Sequence, residues 1–334
     1  MLLKKMAAIL CVTVVSLAAG PATNLGDTKI NADEPINLSF KKRVNVEEAN
    51  RIIDKNASTK TGAETYYFGF DLRGSPQEDA RQYLPFLDYL SRATGYEFKL
   101  RFPSKHSTVA DDLGAGKTDF AAVGAVSFIQ AQNRYGVLSL ARGVNNQGKS
   151  EYKSFIVVRP DSNIKDVTDL AGRRFAFGST SSTQGHLIPR IILAEKGIGL
   201  GDLGGYEYTG SHQNCASAVI SGEYEACGMQ DTMAKNLIDQ GLLKLLHQSR
   251  YFPSSGIAAN RQVPASVLAT MERALADFDP IERDKETLHH WDRTEMPRGF
   301  NASHNSDYDD MRDWLLKLGL LNGSDTATGG KQQP

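Results

Sequence analysis

The chain has 334 residues, 40% of them hydrophobic and 23% charged, and its 38 Lys and Arg against 39 Asp and Glu give a formal net charge of −1. This is the composition of a globular protein long enough for one or two ordinary cores. A balance so close to zero excludes a general electrostatic attraction to nucleic acid or acidic lipid, so any grip on an anion has to be built from local donors.

Lys4 and Lys5, the apolar run Met6 to Ala19 and the small residues up to Ala22 predict an export signal over residues 1–22, cleaved between Ala18 and Ala22. The run is too short to span a bilayer comfortably. Cys11 lies inside it without a small residue before it, which argues against a lipoprotein anchor. Cleavage leaves Cys215 and Cys227 in a compartment where disulfides persist, so the two can form a disulfide or sit buried as small hydrophobes. Both readings stay open, and their spacing gives no metal-site pattern. Residues 23–63 are rich in Asn, Asp, Lys, Thr and Glu and read as a linker or mobile N-terminal extension, with a short helix over Val46 to Ile53.

From Thr65 the grammar changes. Tyr66 to Phe70 reads as a buried strand, Arg73-Gly74-Ser75-Pro76 as a turn, and Tyr83, Phe86, Leu87 and Leu90 as the apolar face of a helix stopped by Gly95. A strand over Tyr96 to Leu100, a helix over Thr108 to Leu113, a strand over Asp119 to Val123, a helix over Ser127 to Asn133 and a strand over Val137 to Leu140 follow. Such repeated alternation predicts a mainly parallel sheet covered by helices on both faces.

A second run of the same kind starts at Phe155 to Val158 and continues with a short helix at Val167 to Ala171, a strand at Arg174 to Phe177 and a helix through Ile191 to Lys196. Then come Tyr206 to Tyr208, a helix over Asn214 to Ile220, a strand at Glu225 to Gly228, a helix over Thr232 to Gln240 and a strand at Leu242 to Leu246. Helices over Pro264 to Ala276 and Tyr308 to Leu318 have no sheet of their own and are expected to return to the first unit.

The segment most able to carry chemistry is Gly178-Ser-Thr-Ser-Ser-Thr-Gln-Gly185, between a predicted strand and a predicted helix. Backbone N–H groups point outward at a helix start, the helix dipole favours negative charge there, and Ser and Thr hydroxyls add donors. The same pattern is also that of a capped helix with a serine-rich turn. A phosphate loop of the nucleotide hydrolases would end in Gly-Lys-Ser/Thr, whereas Gly185 is followed by His186 and Leu187, and the dinucleotide glycine fingerprint is absent.

Tyr152-Lys-Ser-Phe-Ile-Val-Val158, Asp169-Leu-Ala-Gly-Arg173, Ser182-Thr-Gln-Gly185 with Pro189-Arg190, and Gly210-Ser-His212 with Ala218-Val219 and Gly222 follow one another in the order of a known family. Upstream, Leu87-Asp-Tyr-Leu90 with Gly95, and Asp119-Phe-Ala-Ala122 with Gly124 and Ser127, fit the same order. The chain thereby resembles the phosphonate-binding family of type II periplasmic binding proteins, in register from about Thr65 to Pro253 and more loosely to Asp307-Tyr308. The resemblance implies an α/β, two-lobe fold with a hinge and an interlobe ligand cleft. Lobe one would be residues 64–153 plus 255–322, lobe two residues 154–254, and residues 323–334 a disordered tail. It also implies a monomer that delivers a small phosphorus oxyanion to an ABC permease in the inner membrane, without catalysis, cofactor, metal or nucleic acid. A sensor docking to a receptor kinase, or a binder of a different small oxyanion, is the alternative role.

Carried over residue by residue, the resemblance places the phosphonate oxygens on Ser182, Thr183, Gln184 and Gly185, with His212 and Tyr152 as further ligands and His106 where the family has a second tyrosine. Gln184 departs from the family's second serine. Where aminophosphonate binders set carboxylates against the ligand amine, this chain has Thr232 beside Asp231, and Ser255. The expected ligand is therefore phosphite, phosphate or a simple alkyl phosphonate rather than an aminophosphonate, with Asp231 as the exception to that logic. Arg73, Ser75 and Gln77 are candidates for the first-lobe wall.

Overall fold

The computed structural model describes residues 63–71, 76–103 and 107–321. The segment 1–22 read as an export signal, nearly all of the 23–63 segment, Arg73, Ser75, His106 and residues 323–334 lie outside the described residues.

Two sheets organise the chain. The first contains β1 (Thr65–Phe70), β2 (Glu97–Leu100), β3 (Phe120–Val123), β4 (Leu138–Gly143), β12 (Gly256–Ala259) and β13 (Phe300–Ala302), in the order β13-β4-β12-β3-β1-β2. The second contains β6 (Ser154–Val158), β7 (Arg174–Phe177), β8 (Gly205–Tyr208), β9 (Ala226–Gln230) and β10 (Lys244–Gln248), in the order β10-β6-β9-β7-β8. Between them, β5 (Glu151–Tyr152) and β11 (Phe252–Pro253) pair antiparallel where the chain leaves the first sheet and where it returns. The helices are α1 (Pro76–Thr94), α2 (Val109–Gly114), α3 (Ala125–Tyr135), α4 (Ile188–Glu195), α5 (His212–Ile220), α6 (Asp231–Asp239), α7 (Ala265–Ala276) and α8 (Asp309–Lys317). Among the described residues none of them is long and apolar enough to cross a membrane.

Period-two alternation assigns each strand's side chains to opposite faces. On β3, Phe120 and Ala122 join the core formed with Phe68, Phe70, Phe86 and Leu90 under α1 and α7, while Ala121 and Val123 face the core shared with α2, α3 and α8. Phe86 is fully buried in an aromatic cluster, its ring centroid 4.9 Å from Trp291 and 5.0 Å from Phe278. Gly69 falls on the second face of β1, where a Cβ would come within 3.0 Å of Val109 Cγ2. In the second sheet, Ile156, Phe175 and Phe177 pack towards α4, and Val157, Ala176 and Cys227 towards α5 and α6.

Neither sheet is mainly parallel. In the first, β1 runs parallel to β2 and β3, but β12 is antiparallel to both β3 and β4, and β13 is antiparallel to β4. In the second, β7 is parallel to β8 and β9, while β6 is antiparallel to β9 and β10. In the first sheet the reason is the return path. After crossing back through β11, the chain enters the middle of the first sheet as β12, where the Gly256 Cα lies against the Ala141 carbonyl with no room for a side chain.

Cys215 and Cys227 are both fully buried and both free thiols, so the disulfide is not formed here. Cys215 Sγ lies 3.3 Å from the Gly228 carbonyl and 3.4 Å from that of Ala176, and burial beside Cys215 pushes the Cys227 thiol well up. Both act as small core residues between the sheet and α5.

Candidate functional site: a cleft where two helix starts meet

The first wall is set by the ends of β1 and β3. β3 leads through Gly124 into α3, and a glycine at that N-cap has no side chain with which to satisfy the orphan N–H groups of the first turn. Two other segments do it. Asp71, directly after β1, accepts the Gly124 N–H at 2.8 Å on Oδ2 and the Ser127 hydroxyl at 3.0 Å on Oδ1. From the second unit, Thr183 Oγ1 accepts the Val126 N–H at 3.2 Å. A Cβ on Gly124 would meet Thr183 Oγ1 at 3.2 Å, Asp71 Oδ2 at 3.5 Å and Ser255 Oγ at 3.9 Å, so three oxygens from three segments converge on one backbone position.

The second wall is the serine-rich turn after β7. Ser182 caps the helix that follows by accepting the Gly185 N–H at 2.9 Å; a single π-turn, Thr183–Leu187, then runs straight into α4. The turn is pinned to the sheet by the Gly178 N–H donating to the Gly185 carbonyl at 2.8 Å. Gly185 is required by close approach, because a Cβ there would lie 2.9 Å from His212 Cε1 and 2.9 Å from Ser182 Oγ. His212 opens α5, and its Nδ1 accepts the Gln230 N–H at 3.4 Å, which leaves the proton of the neutral ring on Nε2.

The crossing strands close the end of the cleft. Tyr152 on β5 is buried and lines it, as does Ser255, whose hydroxyl donates to Glu295 Oε2. Gln184 donates from Nε2 to the Lys153 carbonyl at 2.8 Å and reaches Asp231 Oδ1 at 3.4 Å. Asp231 also accepts the Thr232 N–H at 2.8 Å and the Lys153 N–H at 3.3 Å. Burial raises the Asp231 pKa above the usual carboxylate range against these hydrogen bonds, and the nearby Glu295 charge adds to the rise.

These walls enclose a cleft of about 480 Å³. Of the residues singled out in the sequence, Tyr152, Ser182, Thr183, Gln184, His212 and Ser255 line it together. Gly185 supports the turn, and Ser127 reaches the cleft only through Asp71. Asp231 braces Gln184 from behind the lining, while Thr232 and Gln77 are exposed and outside it. Asp71, Glu78, Arg293 and Glu295 line the cleft without having been singled out. Asp71 alone left a signal, its place at the C-terminal end of the first strand, where open α/β sheets bind ligands. Arg293 is the one lysine or arginine among the described lining residues, so most of the donors available to an anion there are N–H and hydroxyl groups. A second cavity of about 570 Å³, lined by parts of β4, α7 and β13, has none of these converging groups.

His186, one residue beyond Gly185, is buried within the turn's support. Its Nδ1–H donates to the Thr180 carbonyl at 2.7 Å and its Nε2 accepts the Tyr208 hydroxyl at 3.1 Å, an arrangement that suits the neutral ring. Burial lowers its pKa from 6.5 to about 4. The unfolded chain therefore takes up a proton between those values that the folded chain refuses. The contribution is complete above about pH 6.5 and is lost as pH falls towards 4, by at most ~3 kcal/mol. Urea unfolding at pH 7 and pH 4.5 should show a smaller loss of stability on acidification for His186→Gln than for the wild type; equal losses would contradict this assignment.

A family model described as the periplasmic substrate-binding protein of phosphonate ABC transporters matches residues 68–308. The phosphate-import protein PhnD of Mycolicibacterium smegmatis is 27% identical over 253 residues, 70% of this chain and 78% of that protein. The phosphonates-binding periplasmic protein of Escherichia coli is 28% identical over 140 residues, 40% of this chain and 41% of that protein. Among solved structures, PhnD1 from Prochlorococcus marinus in complex with methylphosphonate superposes with a TM-score of 0.67 at 18% identity, over 77% of this chain and 99% of that one. A binding protein component of an ABC phosphonate transporter from Pseudomonas aeruginosa gives 0.66 at 20% identity, over 77% and 87%. At these identities the structural likeness is one of fold.

Proposed function

Because this chain belongs to the family of periplasmic substrate-binding proteins of phosphonate ABC transporters, we propose that its cleft takes up a small phosphorus oxyanion in a protonated form and presents it, as an exported monomer, to an inner-membrane permease. Proteins of this family bind and hand over their ligand without transforming it. The 1–22 segment supplies the export signal in this reading, and nucleic acid has no part in it.

The convergence of Asp71, Thr183 and the Gly124 backbone supports this reading best. The Thr183 hydroxyl and the N–H groups at the start of the serine-rich turn's helix suit the oxygens of an anion. Asp71 does not, since a carboxylate only accepts hydrogen bonds, as it does here from the Gly124 N–H and the Ser127 hydroxyl. An oxyanion carrying an O–H satisfies both demands at once. Phosphate, phosphite and alkyl phosphonates have such a protonated form within reach of neutral pH, and sulfate does not. Asp231 is engaged by Gln184, Lys153 and Thr232 and lies behind the lining, so it is not placed to pair with a ligand amine.

A thermal-shift panel on the mature protein tests this, since a ligand that binds only the folded state raises the melting midpoint. Phosphite, methylphosphonate or phosphate should raise it, and sulfate should not. A rise with aminoethylphosphonate alone would reverse the ligand ranking; a rise with sulfate equal to that with phosphite would remove the role of Asp71.

A further inference from the structure

At the mouth of the cleft, Glu78 in the first turn of α1 meets His289 and His290 from the segment before Trp291. The three can each offer one ligand atom, and these atoms all lie within 4.8 Å of one another; Glu78 Oε1 is 3.3 Å from His289 Nε2. Two adjacent residues in an extended segment would point to opposite sides. Here the two imidazole centroids are 4.3 Å apart, and His290 has φ 47°, the one non-glycine residue with positive φ among those described. That conformation is uncommon outside glycine, though less so for His, Asn and Asp, and it persists only where the surroundings hold it.

The surroundings do hold it. The His290 carbonyl accepts Gln82 Nε2 from α1 at 3.2 Å and the Arg293 N–H at 3.0 Å. The next residue, Trp291, is buried and donates its indole N–H to the Met296 carbonyl at 2.8 Å. The backbone is thus anchored at and directly after a strained histidine, and the result is two imidazoles beside one carboxylate.

We infer that Glu78, His289 and His290 form a binding site for a divalent transition-metal cation, zinc or a neighbour such as nickel or copper. Two imidazole nitrogens and one carboxylate oxygen are a donor set these ions take, with remaining positions open to water. Calcium and magnesium, which take oxygen ligands, do not fit. Glu78 also lines the cleft, so a bound cation would offset an acidic charge beside the proposed oxyanion site. The proposal does not depend on the identity of that anion.

The test is titration of the tag-free mature protein with zinc chloride in a phosphate-free buffer, with cobalt as a spectroscopic substitute. One equivalent should bind, and cobalt should give a visible absorption band of nitrogen and oxygen ligation. Glu78→Gln, His289→Ala and His290→Ala should each weaken binding by about tenfold or more, as loss of one ligand in three requires, while keeping the melting midpoint of the metal-free protein. His247→Asn, remote in sequence from the cluster, should bind as the wild type does. No uptake at millimolar zinc, or uptake unchanged across the three variants, would overturn the site.

Discussion

Thr183→Val is expected to weaken the binding of methylphosphonate about tenfold to a hundredfold, corresponding to about 1–3 kcal/mol for a hydrogen bond made to a charged group. The substitution keeps the shape of the side chain and removes one oxygen. That oxygen sits where the two halves of the molecule meet, on a buried residue, accepting the Val126 N–H from the opposite wall while remaining able to donate to a ligand. Its loss removes a ligand contact and leaves the first turn of α3 with an unsatisfied N–H in the closed cleft. Thr183→Ser restores the oxygen without the methyl and should bind within a few-fold of the wild type. Calorimetric titration of the three proteins separates these outcomes, and an unchanged affinity for the valine variant would show that the turn is only a helix cap.

Asp71→Asn should act on selectivity more than on fold. The amide oxygen can still accept the Gly124 N–H, and the Ser127 hydroxyl can turn to accommodate either end of the group. What changes is the face presented to the ligand: a carboxylate that must receive a proton is replaced by a group that can donate one. Affinity for phosphite should fall by about tenfold or more, and sulfate, which has no proton to give, should gain. The ratio of the two affinities is the diagnostic quantity. A ratio equal to that of the wild type would mean that Asp71 only caps α3.

The serine-rich turn was legible because its determinants are local. A strand, a run of Ser and Thr, and a helix start lie within a dozen residues, and the N–H groups of a helix start point outward whatever else the chain does. Asp71 was not legible as its partner, since an acid just after a strand is equally a turn residue, and Gly124 lies 53 residues further along. Gln184 was read as a ligand donor because it stands where the family has a serine. Its amide is instead spent on the Lys153 carbonyl and Asp231, a pairing made by the packing of the turn against β6 and α6. The mixed direction of the first sheet was missed for a related reason: β12 is four residues, Gly256-Ile-Ala-Ala259, with one β-branched side chain, and its smallness reflects where it is inserted. Glu295 and the histidine pair sit in an irregular segment with no periodicity to read, and tertiary contacts alone bring them to the cleft.

The claim that joins these parts is that the two helix starts and Asp71 hold one protonated phosphorus oxyanion between them. A crystal structure of the mature protein grown with phosphite tests it most directly. The expected result is a single phosphorus centre in the cleft, with oxygens within hydrogen-bond reach of Thr183 Oγ1 and the backbone at Gln184, and one oxygen facing Asp71. Phosphite bound elsewhere, or a cleft whose Asp71 faces no ligand oxygen, would contradict it.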